Sequence, residues 1–190
     1  MEYTELIING VNVLEGKNEI AWCIYEDGVY GYQTENKFWH LMINGKDVLE
    51  GKKAIDCWYY KDGVYEYKTE DEFLHIMING KDVLEGKNAI DCCYDYKNGV
   101  CEYTTEDNFS HLIINGKDVL DGKKVIYCIY WEDGVYAYKK TEDKFLYLMI
   151  NGKNVLEGKK AINCRYDYKN GVCEYTTENI FWDTINLNEE

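Results

Sequence analysis

One unit of about 35 residues is written five times in this chain, and that repetition constrains the fold more than any single residue does. The anchor is Ile-Asn-Gly followed by Lys or Val, with asparagines at Asn9, Asn44, Asn79, Asn115 and Asn151, spaced by 35, 35, 36 and 36 residues. Text between the anchors repeats too. NGKDVLEGKKAIDCWYYKDGVYEYKTEDEFLHIMI is followed by NGKDVLEGKNAIDCCYDYKNGVCEYTTEDNFSHLII. A period in this range marks solenoids, propellers or arrays, in which no unit buries its apolar face alone. The reading is one repeat domain over 1–190, with units at about 9–43, 44–78, 79–114, 115–150 and 151–186 and flanking segments 1–8 and 180–190.

Turn residues assign the class. Each unit holds an Asn-Gly such as Asn44-Gly45 and, eighteen residues on, an Asp-Gly or Asn-Gly such as Asp62-Gly63, strong hairpin signals between apolar runs. Taking Asp62-Gly63 as a two-residue turn sets Lys61 against Val64, Tyr60 against Tyr65 and Trp58 against Tyr67. One face is then Trp58, Tyr60, Tyr65 and Tyr67, and the other is Tyr59, Glu66 and Lys68. The same register predicts inward sets of Cys23, Tyr25, Tyr30 and Tyr32; Tyr94, Tyr96, Cys101 and Tyr103; Ile129, Trp131, Tyr136 and Tyr138; and Tyr166, Tyr168, Cys173 and Tyr175. The segment Phe73–Ile78 reads as a strand pairing through Asn79-Gly80, which makes a four-stranded meander per unit. A short helix capped at Thr69 is the alternative, giving ββα units. The fold class is all-β: tandem antiparallel meander or hairpin repeats, forming a small five-bladed propeller or an open β-solenoid.

The strand, Asp-Gly turn, Val-Tyr-x-Tyr strand, Thr-Glu-Asp turn and apolar strand of YYKDGVYEYKTEDEFLHIMI, with its copies, resemble β-propeller repeats of the quinoprotein and sensor-regulator kinds. The resemblance covers about two thirds of each unit. At about 35 residues the unit is shorter than the ~40–50 of familiar blades, and their structural Trp and Thr-Gly pair are missing. The resemblance implies a scaffold with repeated inter-blade pockets, not an activity. The apolar segment before the anchor occurs six times for five hairpins, counting Tyr3–Ile8 and Phe181–Asn186, so closed and open arrangements both remain.

Composition narrows the partners. Thirty-five acidic residues against 21 Lys and Arg give a net charge of −14, which disfavours nucleic acid and anionic membranes. No stretch approaches ~18 consecutive apolar residues, and the N-terminus has no leader-like pattern. The expected location is the cytoplasm, although a secreted chain after leader removal would read the same. There is no proline, so no Pro-rich linker separates the units.

Several columns carry chemistry. His40, His75 and His111 share one position, with Glu5, Tyr147 and Asp183 in the other copies. They read either as a ladder of imidazoles and carboxylates or as an interchangeable polar position. Cys57, Cys92, Cys128 and Cys164 share another, with Trp22 in the first unit. Cys101 and Cys173 occur only in units whose preceding strand is one residue longer. Reading that residue as a β-bulge turns Cys92 and Cys164 toward Cys101 and Cys173, so disulfides Cys92–Cys101 and Cys164–Cys173 are weighed against buried thiols. The register leaves each pair diagonal by two pairs, beyond the usual reach. With no Cys-x-x-Cys, no metal site and no cofactor are expected, and the Thr-Glu-Asp or Thr-Glu-Asn corners read as solvated turns. Ser110 is the sole serine and no nucleophile motif occurs, so an enzyme is not expected.

The function read from these features is a non-enzymatic repeat scaffold that binds a protein or carbohydrate partner multivalently, lectin-like if the partner is a glycan. The surfaces are rich in tyrosine and tryptophan, with 19 and five in the chain. The candidate contacts are Trp39, Tyr59, Tyr130 and Trp182 with His40, His75 and His111. The alternative is a structural protein that self-assembles into fibres or oligomers through its sheet edges.

Overall fold

A computed structural model describes residues 6–17, 19–26, 28–95 and 97–187, and no helix occurs among them. Strands β1 (Ile7–Ile8) and β2 (Val11–Asn12) form a two-stranded ribbon. Two four-stranded meanders follow: β3 (Glu19–Glu26), β4 (Val29–Thr34), β5 (Trp39–Ile43) and β6 (Lys46–Asp47), then β7 (Ala54–Lys61), β8 (Val64–Thr69), β9 (Leu74–Ile78) and β10 (Lys81–Asp82). A single bridge, Trp39 to Ala54, links them. The third is β11 (Ala89–Asp95), β12 (Val100–Thr105), β13 (Ser110–Ile114) and β14 (Lys117–Asp118). The fourth is β15 (Val125–Tyr130), β16 (Tyr136–Lys140), β17 (Leu146–Ile150) and β18 (Lys153–Asn154). A three-stranded sheet of β19 (Asn163–Asp167), β20 (Val172–Thr176) and β21 (Trp182–Asn186) comes last. The contacts group into two compact units, 1–90 and 91–190, with the division inside β11.

The segment before each Asn-Gly is a strand, as the hairpin reading has it. Asn79 and Gly80 have φ of 51° and 74°, and Ile78 pairs with Lys81 across them. Positive φ at both central residues defines the type I′ turn, whose twist matches that of the flanking strands and which Asn-Gly adopts at least cost. The resulting four-stranded antiparallel meanders resemble propeller blades.

The β3–β6 and β15–β18 sheets are buried on both faces rather than one. In the first unit Tyr30, Tyr32 and Met42 pack with Leu6 and Leu14. Val29 and Leu41, on the opposite face, pack with Cys57, Tyr59, Tyr65 and Tyr67 of the next sheet. In the second unit Val100 and Leu112 meet Tyr136 and Tyr138, while Val135, Ala137 and Leu148 meet Cys173 and Tyr175. The β3–β6 and β15–β18 sheets thus offer aromatic side chains to one neighbour and aliphatic ones to the other. Leu14, Leu49, Leu84, Leu120 and Leu156, each after the short strand, are buried at the same position of every repeat.

The middle-strand faces agree with the sequence register: Tyr65, Tyr67, Cys101, Tyr103, Tyr136, Tyr138, Cys173 and Tyr175 are all buried. The first strands differ. Lys61 pairs with Val64, but Tyr60 is an extra residue, so Tyr59 faces Tyr65 and Cys57 faces Tyr67. This bulge reverses the face of everything before it: Tyr59 is 5% exposed and Trp58 is 57% exposed. The same shift at Tyr25 sets Ile24, not Tyr25, across from Tyr30, and Trp22, not Cys23, across from Tyr32. Across from Tyr136 and Tyr138 stand Tyr130 and Cys128, while Ile129 and Trp131 pack on the opposite side. In the last repeat the additional residue lies in a longer loop, since Asp167 pairs with Val172 and Asp167 Oδ1 accepts hydrogen bonds from the Lys169 and Asn170 amides. Tyr168 is consequently exposed in that loop, and Tyr96 lies outside the described residues.

Two outcomes follow from this packing. Tyr59→Ala should cost about 3–5 kcal/mol in chemical denaturation and Trp58→Ala less than about 1 kcal/mol, an order that the unbulged register would reverse. Burial also pushes the inward phenols up from the ordinary 10.0, Tyr67 to about 12, with Tyr65, Tyr136 and Tyr138 moved the same way. The folded state favours the protonated phenol, so this stabilisation is complete below pH ~10 and is lost as pH rises toward about 12. Absorbance at 295 nm should show these tyrosines ionising together with loss of the β-sheet circular dichroism signal; reversible ionisation near pH ~10 in an intact fold would contradict it.

Candidate functional site

The histidine column sits on β5, β9 and β13, and each histidine finds its partner seven residues along the chain. His40 Nδ1 lies 2.6 Å from Asp47 Oδ2 and His75 Nδ1 lies 2.7 Å from Asp82 Oδ2. His111 Nδ1 lies 3.3 Å from Asp118 Oδ2 without a hydrogen bond of its own, and Tyr103 donates to that oxygen at 2.8 Å. Each imidazole stacks on a tyrosine, Tyr32, Tyr67 or Tyr103, with ring centroids 4.6–4.7 Å apart. The second oxygen of each aspartate accepts the amide of the buried leucine two residues on, Leu49, Leu84 or Leu120. The fourth copy substitutes both members at once, with Tyr147 stacked on Tyr138 and Asn154 accepting from the Leu156 amide. Each pair is thus a local clasp that fixes the leucine loop to the strand. No group of three metal-ligating side chains occurs among the described residues, and Glu5 of this column lies outside them.

The clasp has a direct test. Asp82→Asn keeps the acceptor for Leu84 but removes the charge facing His75, and should cost about 1–3 kcal/mol. Adding His75→Tyr reproduces the fourth copy and should recover much of that loss in a double-mutant cycle; additive losses would show that the two positions act separately.

The remaining sequence candidates separate. Tyr59 is a correction, because the bulge turns it inward. Its hydroxyl donates to Glu26 Oε1 at 2.5 Å and accepts the Gly63 amide at 3.1 Å, so it ties two hairpins together and presents no outward face. Tyr130 is half-buried against the cluster around Tyr136, and its amide donates to Glu102 Oε1 at 3.2 Å. Trp39 is half-buried on the cluster around Leu41. Trp182 remains exposed, with the Arg165 guanidinium 4.8 Å from its ring centre. Neither proposed cysteine pair is closed into a disulfide. Cys164 faces Tyr175 and Cys173 faces Tyr166, so the two thiols are diagonal neighbours at roughly 7–8 Å, past the reach of a disulfide. Burial pushes the thiols up, Cys57, Cys128 and Cys173 to about 12 and Cys164 to about 11, which leaves them protonated and weakly nucleophilic. The side chain of Trp22, in the same column, lies outside the described residues.

Clefts recur at one place in the repeat, across the first two strands of a sheet. One of about 110 Å³ lies over β7 and β8, lined by Asp56, Trp58, Glu66, Lys68 and Leu74. Another of about 220 Å³ holds the equivalent Asp91, Cys93, Glu102 and Ser110, and is closed on one side by Ile126 and Tyr127 of the next sheet. A third of about 330 Å³ lies between β15–β17 and β19, with Tyr127, Trp131, Ala137, Lys139 and Ile162. Burial holds the Glu102 carboxyl above the usual range, partly offset by the Tyr130 amide. Exposed apolar side chains of the first strands line these clefts, Trp58 in the first and Ile126 and Tyr127 in the second. Sequence reasoning assigned Trp58 inward and gave Ile126 and Tyr127 no role; Ile126 is marked only by its place just past the buried Val125.

No protein-family model matches the chain, and no curated protein matches it. Solved structures that it is similar to include the computationally designed Ika8 protein, at 11% identity and a TM-score of 0.35, over 90% of this chain and 59% of that one. The WD40 beta propeller domain of Doa1 is similar at 14% identity and a TM-score of 0.33, over 86% of this chain and 67% of that one. YCF48 bound to D1 peptide is similar at 10% identity and a TM-score of 0.36, over 84% of this chain and 64% of that one. Similarity at this level transfers no ligand or activity.

Proposed function

We propose that the chain is a non-enzymatic repeat scaffold that holds a partner protein at several equivalent clefts along its first strands. The observation that carries this reading is the recurrence of the same construction: a carboxylate-lined cleft, Asp56 and Glu66 or Asp91 and Glu102, beside an exposed apolar side chain such as Trp58 or Ile126. Such a surface suits an extended segment that alternates apolar residues with Lys or Arg, and the net charge of −14 favours the same partner. The pairing of carboxylates with an apolar side chain that changes from Trp58 to Ile126 suits basic and apolar peptide side chains better than a sugar ring, which would need a flat face in each cleft. Weak individual sites joined on one chain gain by effective concentration, roughly 10²–10⁴-fold over one site.

Random-peptide display on the intact chain tests this. The reading expects enrichment of sequences alternating apolar with basic residues, tighter capture of tandem copies, and a several-fold loss with Trp58→Ala. Recovery of no related sequences, or of the same sequences at equal strength on Trp58→Ala combined with Ile126→Asp, would overturn it.

A further inference from the structure

The cleft between β15–β17 and β19 departs from its equivalents in one chemical direction. The position of Asp56 and Asp91 is taken there by Tyr127, and that of Glu66 and Glu102 by Ala137. The third change lies just outside the cleft. Lys68, in the equivalent place over β8, is ion-paired with Glu72, whereas the corner that should supply this acid to Lys139 carries Lys144. No carboxylate lines this cleft, and Lys139 has no ion pair among the described residues. Its charge is felt inside, where it pulls back the rise that burial imposes on the Cys164 thiol. Aromatic and aliphatic side chains, Tyr127, Trp131, Leu146 and Ile162, make up most of the rest.

We propose that this cleft binds a small free carboxylate with an aromatic or branched apolar body, the carboxylate on Lys139 and the body between Trp131 and Ile162. The volume of about 330 Å³ lies at the lower end of small-molecule sites, which span ~300–1,000 Å³. An apolar wall with one convergent cation selects an amphipathic anion, because a neutral or cationic analogue leaves the ammonium of Lys139 desolvated without a partner. The proposal is independent of the partner-binding reading: that rests on carboxylate-lined clefts, and this on the cleft that has lost them.

Titration calorimetry of the intact chain with 2-naphthoate and with 2-naphthylmethylammonium, equal in apolar body and opposite in charge, tests it. The expected result is binding of naphthoate, with the ammonium compound weaker by roughly tenfold or more. Lys139→Glu should reverse that order, and Lys68→Glu should leave naphthoate binding unchanged. Tyr127→Asp restores the residue of the equivalent clefts at an exposed position and should weaken naphthoate by a similar factor, so the test does not depend on one variant folding. Absence of naphthoate binding, equal binding of the two compounds, or binding untouched by both Lys139→Glu and Tyr127→Asp would overturn the proposal.

Discussion

Within each unit the sheets are held by packing face to face, the aromatic side chains of one against the aliphatic side chains of its neighbour. The alternation is built into the middle strand, where Val64, Tyr65, Glu66 and Tyr67 point in turn to opposite sides, and again in Val135, Tyr136, Ala137 and Tyr138. A single meander would leave a row of tyrosines or of Val and Leu in water, so the unit has no stable existence alone. Leu49, Leu120 and Leu156 pack into these interfaces from the loop, and His–Asp clasps set the loops of Leu49 and Leu120 while Asn154 sets that of Leu156.

Covering the tyrosine face withdraws those side chains of the middle strands from recognition, while Glu66, Glu102 and Lys139 on the same strands line the clefts. What is left to meet a partner is the exposed side of the first strands and the clefts they form with the middle strands. The chain varies there: Trp58, Cys93, Ile129 and Arg165 occupy one first-strand position in successive repeats, while the Leu41, Ile76, Leu112 and Leu148 position stays aliphatic and fully buried. Packing tolerates only residues of similar size and polarity in the core, whereas the clefts can diverge without disturbing the frame. Acidic clefts and one stripped of its acids can therefore coexist on a single repeated frame.

Much of the architecture was legible from local chemistry. Asn79-Gly80 and Asp62-Gly63 announce their turns because few other residues tolerate positive φ at two successive positions, and the tyrosines of the middle strands mark their buried face by strict alternation. The first strands were harder. Cys57, Trp58, Tyr59 and Tyr60 are all apolar or aromatic, so no polarity contrast reveals the bulge at Tyr60 that turns Tyr59 in and Trp58 out. The additional residue of the last repeat went to a loop because the Asp167 carboxylate could bond its amides, a choice that strand periodicity does not report. His75 and Asp82 stand in separate strands, and their pairing shows only when the His-to-Tyr and Asp-to-Asn replacements of the fourth copy, Tyr147 and Asn154, are read together.

Amide hydrogen exchange on the full chain tests the two-faced packing most directly. If neighbouring sheets cover one another as described, the slowest amides lie on β4, β8, β12 and β16, which are bonded on both edges and covered on both faces, while the outer amides of β11 and β15 exchange many times faster. First strands protected as well as the middle ones, or middle strands exchanging like the loops, would contradict the packing on which the clefts depend.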